Sequence, residues 1–295
     1  MMFAAEFEYT KANSVSEAIQ LLGSNEGAKI LAGGHSLIPM MKLRLARPPM
    51  VIDIGGIEEM RGISVENGTL RIGALTTHAE IAESHVVQSA SGILWEAAYG
   101  IGDPQVRNRG TIGGNIAHAD PASDLPTVLT IMDAKFTIQG QGGITRRGSR
   151  TVSANDFFTG PFETVLEENE ILTAIEMSVL AEDQKAEYAK MAHPATSFAV
   201  VGAGVVVTVE NGVCTGARVA VGGLTPKPTR GPSVEAALTG KELTEENIAA
   251  ATALIDGDLG SDILGDIFAS AEYRRAMAAI ELKHAIFHAT DFAHH

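Results

Sequence analysis

Lys29-Ile30-Leu31-Ala32-Gly33-Gly34-His35-Ser36 and, further on, Thr111-Ile112-Gly113-Gly114-Asn115 are the stretches on which the reading of this chain turns. The first is a short apolar run of strand type ending in a Gly-Gly turn. The second follows the polar run 103–110. Paired glycines let a backbone approach a ligand closely and aim successive N–H groups at one point, which cradles a phosphate without a lysine. Ser36, Thr111 and Asn115 add side-chain hydrogen bonds suited to a diphosphate or a polyol chain. Each loop alone reads equally well as a tight turn; two of them bracketing one α/β region favour a binding site. No G-x-G-x-x-G occurs, so a Rossmann dinucleotide site has no support. Gly240-Lys241 lacks the flanking residues of a P-loop and reads as a turn.

Working outward, Ser14 with Glu17 has capping-box spacing, and Val15, Ala18, Ile19 and Leu22 follow at helical period up to a stop at Gly23. Residues 51–54 read as a strand. Residues 63–65 and 70–72 flank Asn67-Gly68, a type I′ hairpin signal. Thr77 and Glu80 repeat the capping box and open a helix through His85, with another helix around 93–98. Residues 100–124 read as a loop, 125–132 as a helix and 135–139 as a strand. The alternation predicts α/β architecture up to about residue 178, with a split near 57. Beyond it, 182–185 reads as a charged connector, and 199–209 and 213–221 form a hairpin across Asn211-Gly212. Helices around 234–238, 245–255 and 271–288 close the chain. The expected domains are 1–178 and 179–295.

Composition narrows the function. Lys plus Arg number 22 and Asp plus Glu 36, a formal net charge of −14, which argues against a nucleic-acid or anionic-membrane binder. Only Cys214 is present, so this chain's own thiolates hold no disulfide and no iron–sulfur cluster. Cys214 itself reads as an inert buried thiol in a strand. The N-terminus carries no signal-peptide pattern, and the longest apolar stretch, 198–209, is about half of what spans a bilayer. A cytoplasmic location is expected. His118, Asp120, Asp124 and His35 can be drawn as a hydrolase metal site, but the spacing is loose, and Asp124 reads better near a helix N-cap. No metal ligand set is assigned.

The segments AGGHSLIPMMKLRLARP (32–48), IGALTTHAEI (72–81), VRNRGTIGGNIAHADPASDLP (106–126) and EILTAIEM (170–177) together resemble the FAD-binding medium subunit of the molybdenum hydroxylase (xanthine dehydrogenase) family, most nearly its carbon monoxide dehydrogenase branch. The resemblance covers the whole chain. It implies an α+β fold, with a two-part α/β FAD-binding domain of vanillyl-alcohol-oxidase type. A C-terminal domain with a three-stranded antiparallel sheet and helices follows it. It implies FAD held non-covalently by Ile30, Leu31, Ala32, Gly33, Gly34, His35, Ser36 and Leu37 around the diphosphate. Thr111, Ile112, Gly113, Gly114 and Asn115 lie on the other side, and Asp124, Leu172 and Lys190 match further contacts. Thr76 and Thr77 are additional candidates. After Lys190 this chain departs from the usual Arg and Asp, having Met191-Ala192-His193, so His193 or Phe198 is the aromatic expected against the flavin ring.

The implied role is an electron relay. A large molybdopterin subunit oxidises substrate, a small iron–sulfur subunit passes electrons on, and FAD delivers them to an external acceptor, in a dimer of heterotrimers. The implied reaction is that of carbon monoxide dehydrogenase, or else of an aldehyde, purine or N-heterocycle dehydrogenase. Two alternatives remain: a self-contained FAD reductase of similar fold, and a nucleotide-binding assembly subunit without redox function.

Overall fold

A computed structural model describes residues 3–142 and 148–290. The first unit is β1 (Glu8–Lys11), α1 (Val15–Ser24), β2 (Lys29–Leu31), α2 (Leu37–Lys42) and β3 (Met50–Asp53), a three-stranded parallel sheet in the order β1-β3-β2. The hairpin β4 (Ile63–Glu66) and β5 (Thr69–Gly73) then opens an antiparallel sheet. Helices follow: α3 (His78–Ala82), α4 (His85–Ala90), α5 (Gly92–Tyr99), α6 (Pro104–Arg107), α7 (Ile112–His118) and α8 (Asp124–Ile131). Next come β6 (Lys135–Gly140), β7 (Ser149–Ser153), α9 (Ala154–Phe157), the ribbon β8 (Phe158–Gly160) and β9 (Glu163–Thr164), and β10 (Glu170–Ser178). The five strands of this sheet run in the order β4-β5-β10-β6-β7. The C-terminal part contains β11 (Gln184–Ala192), β12 (Ala199–Glu210), β13 (Val213–Gly222), β14 (Thr229–Arg230), α10 (Pro232–Leu238), α11 (Glu245–Thr252), α12 (Ile255–Asp258) and α13 (Ala271–Ala289).

Local signals account for many of these boundaries. Thr77 makes a complete capping box with Glu80. Ser14 accepts from the Glu17 amide, but the Glu17 carboxylate reaches back to the Asn13 N–H at 2.8 Å. Asn67-Gly68 and Asn211-Gly212 all have positive φ, as a type I′ turn requires.

Several expectations need correction. Gly23 lies inside α1, and the helix from Thr77 stops at Ala82 because Ser84 caps a new one. The parallel βαβ pattern ends at Asp53, and the sheet from Ile63 onward is antiparallel, because its strands are joined as hairpins or by helices that return them alongside. The presumed loop 100–124 contains α6 and α7, so TIGGN is a helix start with Thr111 as N-cap. The charged connector at 182–185 runs into the nine-residue strand β11. As an edge strand it is half-buried, and its polar composition hid it. The C-terminal sheet accordingly has four strands, the fourth being the two-residue β14.

Two apolar cores share the C-terminal sheet. Val205 and Val207 of β12 pack in the core with Leu282 and Ile286 of α13, whereas Val206 belongs to the core of Leu125, Val128 and Leu129 on α8. Successive side chains of a strand point to opposite faces, so a sheet covered on both sides needs an unbroken apolar run. That is why 199–207 contains no polar side chain.

The two halves are also tied by polar contacts. Arg218 donates to the Ile131 carbonyl at 2.6 Å, and Glu187 on β11 meets Glu96 on α5. Burial, then the Glu96 carboxylate, pushes Glu187 up to about 7 from 4.5. The folded chain therefore keeps a proton here that the unfolded chain releases above about pH 4.5. The site's stabilisation is full below that pH and is lost as pH rises through about 7. Glu187→Gln is expected to flatten this loss. Melting curves between about pH 5 and pH 8 should show the variant gaining on the wild type as pH rises. Parallel curves for the two proteins would contradict the shared proton.

Candidate functional site

A cleft of about 380 Å³ opens where β2 and β3 end, the usual place for a ligand beside parallel strands. Leu31, Ala32, Gly33 and Ile38 line it from the first glycine segment, and Asn108, Arg109 and Thr111 from the second. Leu75, Thr77, Lys11, Asp53, Gly55, Gly56 and Arg61 complete the lining.

The two glycine segments are packed against each other. A Cβ on Gly33 would overlap the Arg109 carbonyl and come within 2.9 Å of the Gly110 Cα. A Cβ on Gly113 would collide with Ala74. These two glycines are required by the chain's own backbone packing, before any ligand is considered. Gly34 is needed for another reason, its φ of +78°.

The segments differ in the donors they leave. Among the described residues, the backbone N–H groups of Gly33, Gly34, His35 and Ser36 have no acceptor within the chain. The expectation that the TIGGN amides also point at a ligand is corrected. Ile112 N–H donates to Thr76 O, Gly113 N–H to Ala74 O and Gly114 N–H to Thr111 Oγ1. The first two bonds fasten the start of α7 to the turn 74–77, and the third is the helix's own N-cap bond. Asn115 accepts from Ser123 Oγ at 2.7 Å, which leaves its amide NH₂ as the donor of the segment.

The cleft is positive in a negative chain. Lys11, Arg61 and Arg109 line it, and none forms an ion pair among the described residues. Arg61 is held by Gly55 O at 2.8 Å, and Asp53 by the Gly55 N–H and the Tyr9 hydroxyl. A sequence signal for this part was available: Asp53-Ile54-Gly55-Gly56 is a third Gly pair at a strand end. His78, beside Thr77, is 3% exposed. Burial, then His35 and Arg107, lowers its pKa to about 4, so the ring is neutral at pH 7.

Asp124 and Lys190 come together away from the cleft lining. Lys190 Nζ lies 2.9 Å from Asp124 Oδ2, and the Tyr188 hydroxyl donates to Oδ1 at 2.8 Å. Lys190 also donates to Gly100 O and Ser197 O, so one ammonium joins α5, α8 and the turn 193–198. Burial pushes the Asp124 carboxyl up, opposed by Lys190 and Tyr188. Asp124 is the first residue of α8, directly after the N-cap Ser123. Ile30 pairs with Ile52 in the parallel sheet, and Ser36 and Leu37 begin α2. Leu172 is a buried core residue of β10, and Ile112 is wholly buried. Thr76 is buried, donating to Gly62 O. His35 is exposed, its Nδ1 3.3 Å from Gly33 O. The His118 ring lies tilted against Phe162 and that of His193 against Phe268, while Phe198 is exposed. Among the described residues, no group of three or more His, Cys, Asp or Glu side chains could hold a metal ion. None of the described helices is long and apolar enough to cross a membrane.

Residues 5–177 match the family described as FAD binding domain in molybdopterin dehydrogenase, and residues 186–289 the CO dehydrogenase flavoprotein C-terminal domain. The chain belongs to this family of FAD-carrying oxidoreductase subunits. It is 40% identical to the carbon monoxide dehydrogenase medium chain of Hydrogenophaga pseudoflava, covering 97% of each chain. With the glyceraldehyde dehydrogenase medium chain of Sulfolobus acidocaldarius it shares 35% identity, over 95% of this chain and 96% of that one. Among solved structures it is similar to carbon monoxide dehydrogenase from H. pseudoflava lacking the Mo-pyranopterin moiety. The TM-score is 0.93 at 40% identity, covering 98% of this chain and 99% of that one. The chain is thus of the kind that serves as the medium subunit of a multi-subunit molybdenum hydroxylase.

Removing Lys190 leaves a buried carboxylate and two carbonyls without their cation, a loss of about 3–5 kcal/mol for a buried pair. Lys190→Met is expected to lower denaturant stability by that order. In the double variant with Asp124→Asn most of the loss should return, and additive losses in this cycle would show the two groups to be independent.

Proposed function

We propose that this chain is the FAD-bearing electron relay of an aerobic carbon monoxide dehydrogenase-type complex. Its partners are a large molybdopterin subunit and a small iron–sulfur subunit, assembled as a dimer of heterotrimers in the cytoplasm. The likeness to a carbon monoxide dehydrogenase medium chain from end to end, at 40% identity, carries the reading. The domains follow the two family matches, dividing between Ser178 and Gln184. An aldehyde-oxidising complex is the second reading, supported by the 35% identity to a glyceraldehyde dehydrogenase medium chain.

The cleft fits the cofactor chemically. A diphosphate is an acceptor-only dianion, and the unpartnered amides of Gly33, Gly34, His35 and Ser36 with Lys11, Arg61 and Arg109 are a matching donor set. In this reading the turn Ala32–Ser36, flanked by Ile30, Leu31 and Leu37, holds the diphosphate. Thr111 and Asn115 supply side-chain hydrogen bonds from across the cleft. Ile112, Gly113 and Gly114 act as the brace that places them. Asp124 and Lys190 hold the segments at Gly100 and Ser197 in one arrangement, and Leu172 packs in the core. Bound flavin exchanges electrons one or two at a time, and the protein's part is to position and tune it.

Lys11→Gln and Arg109→Gln should each weaken FAD binding about tenfold, the loss of roughly one charge-assisted contact, with melting temperature nearly unchanged. Gly33→Val should lose fold and flavin together, because its neighbour is backbone. Flavin absorbance per chain and thermal melts separate these outcomes; full flavin in both charge variants would place the diphosphate elsewhere. The isolated FAD-loaded chain should be reduced by dithionite but stay oxidised with carbon monoxide, an aldehyde or a purine. Bleaching by substrate should require both partners, and bleaching by the chain alone would instead indicate a self-contained oxidoreductase.

A further inference from the structure

The segment 103–109 brings Asn108 and Arg109 to the cleft, yet α6 (Pro104–Arg107) buries none of its residues. Asn108 and Arg109 are exposed as well. A four-residue helix does not hold itself in water, and no apolar packing of its own holds this one. Polar ties must therefore fix this wall of the cleft. Asp103 caps the helix by accepting from the Val106 N–H at 2.9 Å, and Asn108 Nδ2 donates to Pro104 O at 2.7 Å. At the far end the His78 N–H donates to Gly110 O at 2.9 Å.

Arg107 closes the near end. Its Nη1 donates to Ile101 O at 3.1 Å and to Gly102 O at 3.3 Å. Its guanidinium carbon lies 5.3 Å from the centre of the Tyr99 ring, which stacks on Trp95 of α5 with centres 6.0 Å apart. Lys190 holds the preceding carbonyl, Gly100 O, at 3.1 Å. Three successive carbonyls are thus held by two cations, whose bonds are stronger than those of neutral donors, and the planar guanidinium also covers the ring. Arg107 itself does not line the cleft and has no ion-pair partner among the described residues. Its contacts are to its own chain. Two residues further on comes the Arg109 carbonyl that lies against Gly33.

We infer that Arg107 is a positioning residue for FAD: it latches the 103–109 wall to the end of α5, so that Arg109 meets the cofactor in a fixed geometry. That the diphosphate lies in this cleft rests on the proposed function; the latch rests on the contacts of Arg107 and on the exposure of the segment it holds.

The test titrates FAD into the full chain freed of flavin, with thermal melts of the same samples. Arg107→Met should weaken binding roughly tenfold with melting temperature nearly unchanged, because the released segment lies outside the core. Arg107→Lys keeps a cationic donor for the carbonyls and should recover part of the loss. Tyr99→Leu removes only the ring and should weaken binding about threefold. Trp95, the single tryptophan, should change its fluorescence in Arg107→Met as Tyr99 is released. If Arg107 acts through Arg109, Arg107→Met combined with Arg109→Gln should bind FAD within about twofold of Arg109→Gln alone. Additive losses overturn the inference, as does wild-type affinity in Arg107→Met or a loss matched by loss of fold in all three single variants at 99 and 107. Wild-type affinity in Arg109→Gln would overturn this inference together with the placement of the diphosphate in the cleft. Loss in Arg109→Gln with none in Arg107→Met would overturn the latch and leave that placement standing.

Discussion

The close approach of the Gly33 backbone to the Arg109 carbonyl is the constraint on which the site depends. Gly33 follows a strand of the parallel sheet, and Arg109 precedes the helix that packs on the antiparallel one. Only residues without side chains let these two segments touch, and their contact makes the boundary between the sheets a cleft with a fixed wall. Gly113 against Ala74 repeats the device one turn further on. With the amides of Ile112 to Gly114 already bonded inside the chain, the second segment is a rigid brace. The first leaves its donors without an acceptor among the described residues. Two similar Gly-Gly motifs therefore have different physical roles.

A second layer of organisation comes from the C-terminal sheet. Its strand β12 faces one core with Val205 and Val207 and the other with Val206, so neither half can shift without exposing apolar surface. The buried Lys190 then ties Asp124, Gly100 and Ser197 into one arrangement. A buried ion pair adds little net stability over an apolar substitute, because desolvating both charges offsets their attraction. Its value here is geometric: one ammonium has three oxygens from three separate elements, and no apolar side chain reproduces those directions.

The relation to medium chains of differently named dehydrogenases follows from the same architecture. What a medium chain must supply is a cofactor cleft, a fixed path for electrons and surfaces for its partners, none of which depends on the substrate's shape. The chain is 40% and 35% identical to medium chains of a carbon monoxide and a glyceraldehyde dehydrogenase. The positive cleft stands out against a net charge of −14 because it faces an anionic ligand in this reading.

Local chemistry made much of this legible in the sequence. The Asn-Gly hairpins, the Thr77 capping box, the Gly-Gly turn after Lys29–Leu31 and the apolar run of β12 depend on short-range geometry, and they fold as read. Strand β11 did not show itself, because an edge strand between two layers carries polar side chains such as Lys185, Glu187 and Lys190. Nor did the sequence reveal that Asp124 and Lys190, 66 positions apart, are each other's partners, or that the Ile112–Gly114 amides are already bonded. Lys11 and Arg61 had no motif around them, since only the crossing of two sheets brings them to one cleft. Turn types, caps and strand periodicity are set by neighbours along the chain, so the sequence alone determined them. Which donors stay free and which charges meet is decided by packing between distant segments, so only the tertiary structure settled those.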